Sequence, residues 1–215
     1  MSMRLPHLAI LYQDQAVVVV NKPGGLLAVP GRGPEKQDSV VSRLKAHFPD
    51  CIAQPSVHRL DMATSGLMVL ALTANAHRDV SMQFEQRKVI KRYVALVQGQ
   101  VKGEQGRIDL RFRLDPDNRP YQVYDEISGK RGVTLWKVIG REALFTRVEF
   151  FPQTGRTHQL RLHASHEKGL GRPILGDALY GTGRDGDKMM LHATGLQFVH
   201  PESKEVLCFF SAPPF

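Results

Sequence analysis

The chain has 215 residues, 42% hydrophobic and 23% charged, enough to bury the core of one large domain or two joined lobes. Its 29 Lys and Arg outweigh 21 Asp and Glu, giving +8 at pH 7, the balance of a surface that meets polyanions. No apolar run approaches the roughly 18 residues of a membrane span. Cys51 and Cys208 are the only cysteines, which excludes a disulfide framework and a zinc-type cysteine cluster. The first residues, Met1 to Pro6, show neither a signal core nor an amphipathic leader, so a cytoplasmic, reduced protein is expected.

In chain order, Leu8–Tyr12 and Val17–Asn21 predict a hairpin around Gln13-Asp14-Gln15-Ala16, broken afterwards by Lys22-Pro23-Gly24-Gly25. Asp38 and Ser39 offer caps for a helix through His47, with Val40, Val41 and Leu44 as its apolar stripe and Pro49 beyond its end. His58–Gly66 reads as a loop, Leu67–Thr73 as a buried strand, Asn75–Gln86 as a helix and Lys91–Gln98 as a strand. Residues 99–131, rich in Gly, Pro and charge, predict only short strands in a peripheral lobe or flap. Val133–Ile139 and Ala143–Phe151 predict a β pair around Gly140-Arg141-Glu142, and His158–His166 a helix. Gly169–Gly183 is a glycine-rich connection, and Leu191–Val199 with Glu205–Phe210 closes the chain as a hairpin. Strands in hairpin pairs with few helices between them predict an α+β fold with a mixed, mostly antiparallel sheet.

The chemistry concentrates at His58-Arg59-Leu60-Asp61-Met62-Ala63-Thr64-Ser65-Gly66. An aspartate in a loop is ordinarily a turn former. Here small residues, Thr64 to Gly66, allow backbone and ligand to come close, a buried strand follows, and His58 and Arg59 can grip an anion. A carboxylate so placed can act as a nucleophile toward a sugar carbon. Arg156, after Pro152 and Gly155, carries a planar fork suited to hold a carboxylate ionised; a simple surface ion pair is the alternative. Tyr93, among basic neighbours, is either a core aromatic or a ring for stacking on a nucleobase. His158, His163 and His166 do not carry metal-ligand spacing, and no metal site is expected.

Taken together, these segments resemble the RluA family of RNA pseudouridine synthases. The matching blocks are Val20–Pro23 with Gly25–Leu27, His58–Gly66, Lys91–Ala95, Thr154–Arg161 with His163, Pro173–Asp177 with Tyr180-Gly181, and Leu191–Ala193. They follow the family order over nearly the whole chain. The resemblance implies a two-subdomain sheet with the active cleft between its halves and Asp61 as the essential aspartate. Arg156 would be its ion-pair partner, Tyr93 the ring against the target base, and Arg59 a residue that helps displace that base from the RNA stack. His58, Thr64 and His158 join Arg59 as substrate-binding candidates. No cofactor is implied, and the expected partner is RNA, bound by a monomer. The family pattern begins by about Leu8, so residues 1–215 are expected to form a single catalytic domain without an N-terminal S4-type module. That favours the short branch of the family, which acts on loops of 23S rRNA and tRNA. The stretch Ala164–Gly171, which follows a catalytic-site helix, is a few residues longer than in that branch, leaving a different RNA target as an alternative. A non-catalytic RNA-binding factor and a uridine glycosidase are the competing readings.

Overall fold

The computed structural model describes residues 7–215; Met1 to Pro6, the segment read for a leader, lies outside the described residues. The chain divides into two compact units. The first contains residues up to Ile90 together with Ala193–Ala212, and the second Lys91–His192 with Pro213–Phe215.

The first unit is built on β1 (Ile10–Gln13), β2 (Val17–Lys22), β3 (Ser65–Ala71), β9 (Leu191–Val199) and β10 (Val206–Phe210). They lie side by side in the order β1-β2-β3-β9, with β10 on β9. The β1–β2, β2–β3 and β9–β10 pairs are antiparallel. The four valines of Val17–Val20 are all fully buried, which is why β2 reads as a continuous apolar run rather than an alternating one. Helix α1 (Val40–His47) starts at a capping box: Ser42 N–H donates to the Ser39 hydroxyl at 3.1 Å, and Ser39 N–H to the Ser42 hydroxyl at 2.8 Å. Helix α2 (Ala74–Glu85) is capped by Thr73 and buries Ala76 and Val80 against Val17, Val69 and Phe198.

The second unit is an antiparallel sheet of β4 (Ile90–Gln98), β5 (Gln105–Leu114), β6 (Gln122–Tyr124), β7 (Lys130–Arg141) and β8 (Phe145–Pro152), in the spatial order β4-β8-β7-β5-β6. Helix α3 (Gln159–Ser165) places Leu162 on Ile108, Leu110 and Phe112 of β5.

Three sequence expectations need correction. Residues 99–131 hold a ten-residue strand, β5, rather than short pieces. Ile108, Leu110 and Phe112 point to the core, while Arg107, Asp109, Arg111 and Arg113 face out. The charge that looked loop-like is one face of a half-buried strand. The turn between β7 and β8 falls at Glu142–Leu144, because a bulge between Val138 and Gly140 lets β7 run on to Arg141. Finally, α3 begins at Gln159: His158 is left-handed, with φ 55°, and stands outside the helix. The segment after α3 folds back on its end. The amides of Leu170 and Arg172 donate to the carbonyls of His163 and Ala164 at 2.9 and 2.7 Å.

Candidate active site

The first unit carries Asp61 on a loop fixed mostly through its backbone. Leu60 is buried and Asp61 half-buried, and the Asp61 carbonyl accepts the Thr64 N–H at 3.1 Å, closing the turn. Thr64 is buried and Arg59 exposed. The next carbonyl, that of Met62, accepts both the Gly25 N–H and the Lys22 ammonium, each at 2.9 Å. Lys22 itself is fully buried, and its other two bonds go to the carbonyls of Leu26 at 2.7 Å and Pro23 at 2.9 Å. Burial pushes the Lys22 ammonium down to about 7, and the nearby Asp61 charge opposes that fall. A lysine is retained at such a cost because three carbonyls take its three protons.

Lys22 lies opposite Gly66 in the β2–β3 register, where the loop enters β3. Gly66 has φ +113°, and a Cβ there would sit 2.8 Å from the Ala193 Cα. Only glycine combines that backbone with that approach. His58 faces inward: its Nε2 accepts the Val69 N–H at 3.1 Å and its ring stacks on Phe84 with centroids 4.5 Å apart. That bond requires an unprotonated Nε2. Of the loop's basic pair, Arg59 therefore offers the exposed charge and His58 braces the loop.

The second unit carries Tyr93 and Arg156. Tyr93 is half-buried on β4 opposite Phe150 of β8. Arg156 is exposed on the loop joining β8 to α3, and the Gln159 side chain holds that loop. Its Oε1 accepts the Thr154 hydroxyl at 2.7 Å and the Arg156 N–H at 3.1 Å, and its Nε2 donates to the Val133 carbonyl and the Thr134 hydroxyl, both at 3.0 Å. Every hydrogen-bonding position of the amide is used.

His158 is buried, and its Nδ1 meets the Tyr180 hydroxyl at 2.9 Å; that hydroxyl also accepts the Gln122 N–H at 2.7 Å. Arg161 grips Asp177 through two bonds of 2.8 and 2.6 Å inside the unit. Burial pulls the Asp177 carboxyl upward, but Arg161 and the amides of Leu179 and Tyr180 hold it below its usual range. His163 is fully buried against Phe112 and Thr134, and desolvation pushes it down to about 4. The described residues contain no cluster of His, Cys, Asp and Glu able to hold a metal ion.

These two loops belong to sequence blocks with known relatives. The sequence profile described as RNA pseudouridylate synthase matches residues 16–166. The chain belongs to the RNA pseudouridylate synthase family. It is 44% identical over 214 residues to the dual-specificity RNA pseudouridine synthase RluA of Haemophilus influenzae, covering 98% of this chain and 95% of that one. The corresponding protein of Yersinia pestis is 46% identical over 197 residues, covering 90% and 93%. Among solved structures, human RNA pseudouridylate synthase domain containing 1 superposes with a TM-score of 0.79 at 28% identity, covering all of this chain and 87% of that one. Domain containing 4 gives 0.74 at 27% identity, covering 96% and 88%. The α+β fold expected from the sequence is that of this family.

Within this pseudouridylate synthase the residues that sequence reasoning missed are the ones that hold others. Lys22 and Gln159 sit inside matched blocks, but their residue type does not disclose their partners. The available signal for Lys22 was a lysine ending a four-valine strand directly before proline, where strand burial continues past the last apolar residue.

Proposed function

We propose that this protein converts uridine to pseudouridine in stem-loops of rRNA and tRNA, with Asp61 as the essential carboxylate. The observation that supports this best is the Asp61 loop itself. Its carboxylate is half-buried, and its backbone is tied by Gly25 and Lys22 to the end of a buried strand. Pre-set geometry of that kind is what a reacting group needs. Arg156 serves as its charge partner, Tyr93 as the ring against the target base, and Arg59 as the side chain that helps extrude that base. His58 and His158 act from behind, bracing the Asp61 and Arg156 loops, and Thr64 closes the Asp61 turn. Residues 1–215 work as one catalytic domain, as a monomer in the cytoplasm.

The reaction is an isomerisation. The N1–C1′ bond breaks, the base turns, a C5–C1′ bond forms, the C5 proton leaves for solvent and N1 acquires one. Asp61 serves as its ionised carboxylate whether it attacks C1′, attacks the base or removes a sugar proton. A stacked uridine costs a few kcal/mol to extrude, less in a loop, and a basic surface offsets that through phosphate contacts.

The test is tritium release from C5-labelled uridine in bacterial rRNA and tRNA. The protein should release tritium, and Asp61→Ala should abolish release while RNA binding persists. Unchanged turnover in Asp61→Ala would sink the assignment, free uracil as the main product would make the protein a glycosidase, and binding without turnover would make it an RNA-binding factor. Arg156→Lys should lower turnover severely, since a point charge does not reproduce a bidentate fork. Mapping pseudouridines in cellular RNA with and without the protein identifies the sites.

A further inference from the structure

Among the lysines of the described residues only Lys22 and Lys91 are not exposed, and they differ in what they bond to. The Lys22 ammonium is saturated by three carbonyls. Lys91, on β4, is half-buried, yet among the described residues its ammonium makes no hydrogen bond or ion pair. Desolvation lowers its pKa. The acid on the neighbouring strand, Glu149 of β8, lies opposite Val94 and is ion-paired with Arg92. Alternation along β4 puts Arg92 and Val94 on one face, and Lys91 and Tyr93 on the other.

In front of the Lys91 ammonium is Gly155, the residue before Arg156. A Cβ at Gly155 would lie 3.7 Å from Lys91 Nζ and, apart from its chain neighbours Thr154 and Arg156, would meet nothing else within 4 Å. The ammonium therefore borders open space beside the Arg156 loop, on the same strand face as Tyr93. A half-buried ammonium that makes no bond to a protein group and opens onto free space is placed to receive an anionic group from a ligand. Residues i and i+2 of a strand are about 6.6 Å apart, a span comparable to that between a nucleobase and its own backbone phosphate. We propose that Lys91 seats the phosphodiester adjoining the uridine that Tyr93 receives. This rests on the RNA-modifying reading above. Lys91 thus adds a phosphate contact to the base contact, fixing the nucleotide at two points.

The experiment uses a synthetic RNA stem-loop containing a uridine that the wild-type protein converts, and versions bearing one uncharged methylphosphonate at each linkage around it. Wild type should lose about tenfold in affinity at one linkage adjoining the uridine, as expected for a single charged contact. Lys91→Met should lose about as much on unmodified RNA, be indifferent to the methylphosphonate at that linkage, and show a salt slope shallower by about 0.7. Its loss should appear in KM more than in kcat. Lys91→Met that binds normally, or that weakens on every RNA while keeping the sensitivity to that linkage, overturns the proposal. If that variant does not fold, the wild-type scan decides: loss at no single linkage near the uridine overturns it. Should wild type convert no uridine in rRNA or tRNA, the functional reading fails and the phosphate seat with it; conversion without linkage sensitivity removes only the seat.

Discussion

The Asp61 loop and the Arg156 loop are held by opposite means. In the first unit a charged group, Lys22, gathers three carbonyls from below, so the loop is held by a cation whose burial pushes its pKa to about 7. In the second unit a neutral amide, Gln159, bonds to four groups at once and has no proton to lose near neutrality. Support for Asp61 is thus electrostatic and pH-sensitive, and support for Arg156 is geometric and indifferent to pH. A carboxylate gains from a cation beneath its loop.

The largest disturbance expected is in the second unit, at its buried ion pair. Asp177→Asn leaves the Arg161 guanidinium without its counter-charge and should cost about 4 kcal/mol in urea unfolding. A loss below about 1 kcal/mol would mean that water reaches Arg161 and that the unit does not depend on this pair. The matching change in the first unit is Gly66→Ala, which forces a Cβ against Ala193 at positive φ. It should cost about 3 kcal/mol and displace the Asp61 loop, lowering turnover as well. Stability within about 0.5 kcal/mol of wild type would show that β3 relaxes freely there.

Acid separates the two braces from the surrounding core. The folded pKa of His163 is about 4, below its value of 6.5 in the unfolded chain. The unfolded state therefore binds the extra proton between those values, and stability falls as pH drops from about 6.5 toward 4. The total is at most about 3 kcal/mol. Urea titrations at several pH values should show this slope in wild type and a flatter one in His163→Gln; equal slopes would assign acid sensitivity elsewhere. The smallest effect is expected from Gln159→Glu, which keeps the shape but turns two donors into acceptors facing Val133 and Thr134. It should cost about 2 kcal/mol and reduce turnover near neutrality. A variant as active as wild type would show that the Arg156 loop needs no amide.

Much of the fold was legible because local chemistry and tertiary placement agree. The Ser39 cap, the valine run of β2, the α2 pattern and the closing β9–β10 hairpin each satisfy a local rule that the folded unit also uses. The ten residues of β5 were not legible as one strand, because Arg107, Arg111 and Arg113 outweighed the alternation of Ile108, Leu110 and Phe112. His158 was drawn into a helix because a left-handed residue leaves no mark on hydrophobic spacing. Asp61, Tyr93 and Arg156 stood out in the sequence as candidates. Their supports were not, since the partners of Lys22 include Met62, 40 positions away, and Gln159 reaches Thr134 across 25.

The fully engaged amide of Gln159 gives the molecule a built-in spectroscopic reporter. Its two side-chain protons are each committed to a fixed acceptor inside the protein, so they exchange with deuterated solvent only when the Arg156 loop lets go. Their exchange rate counts the openings of that loop, and its slowing when a stem-loop is added would report that RNA holds the loop shut.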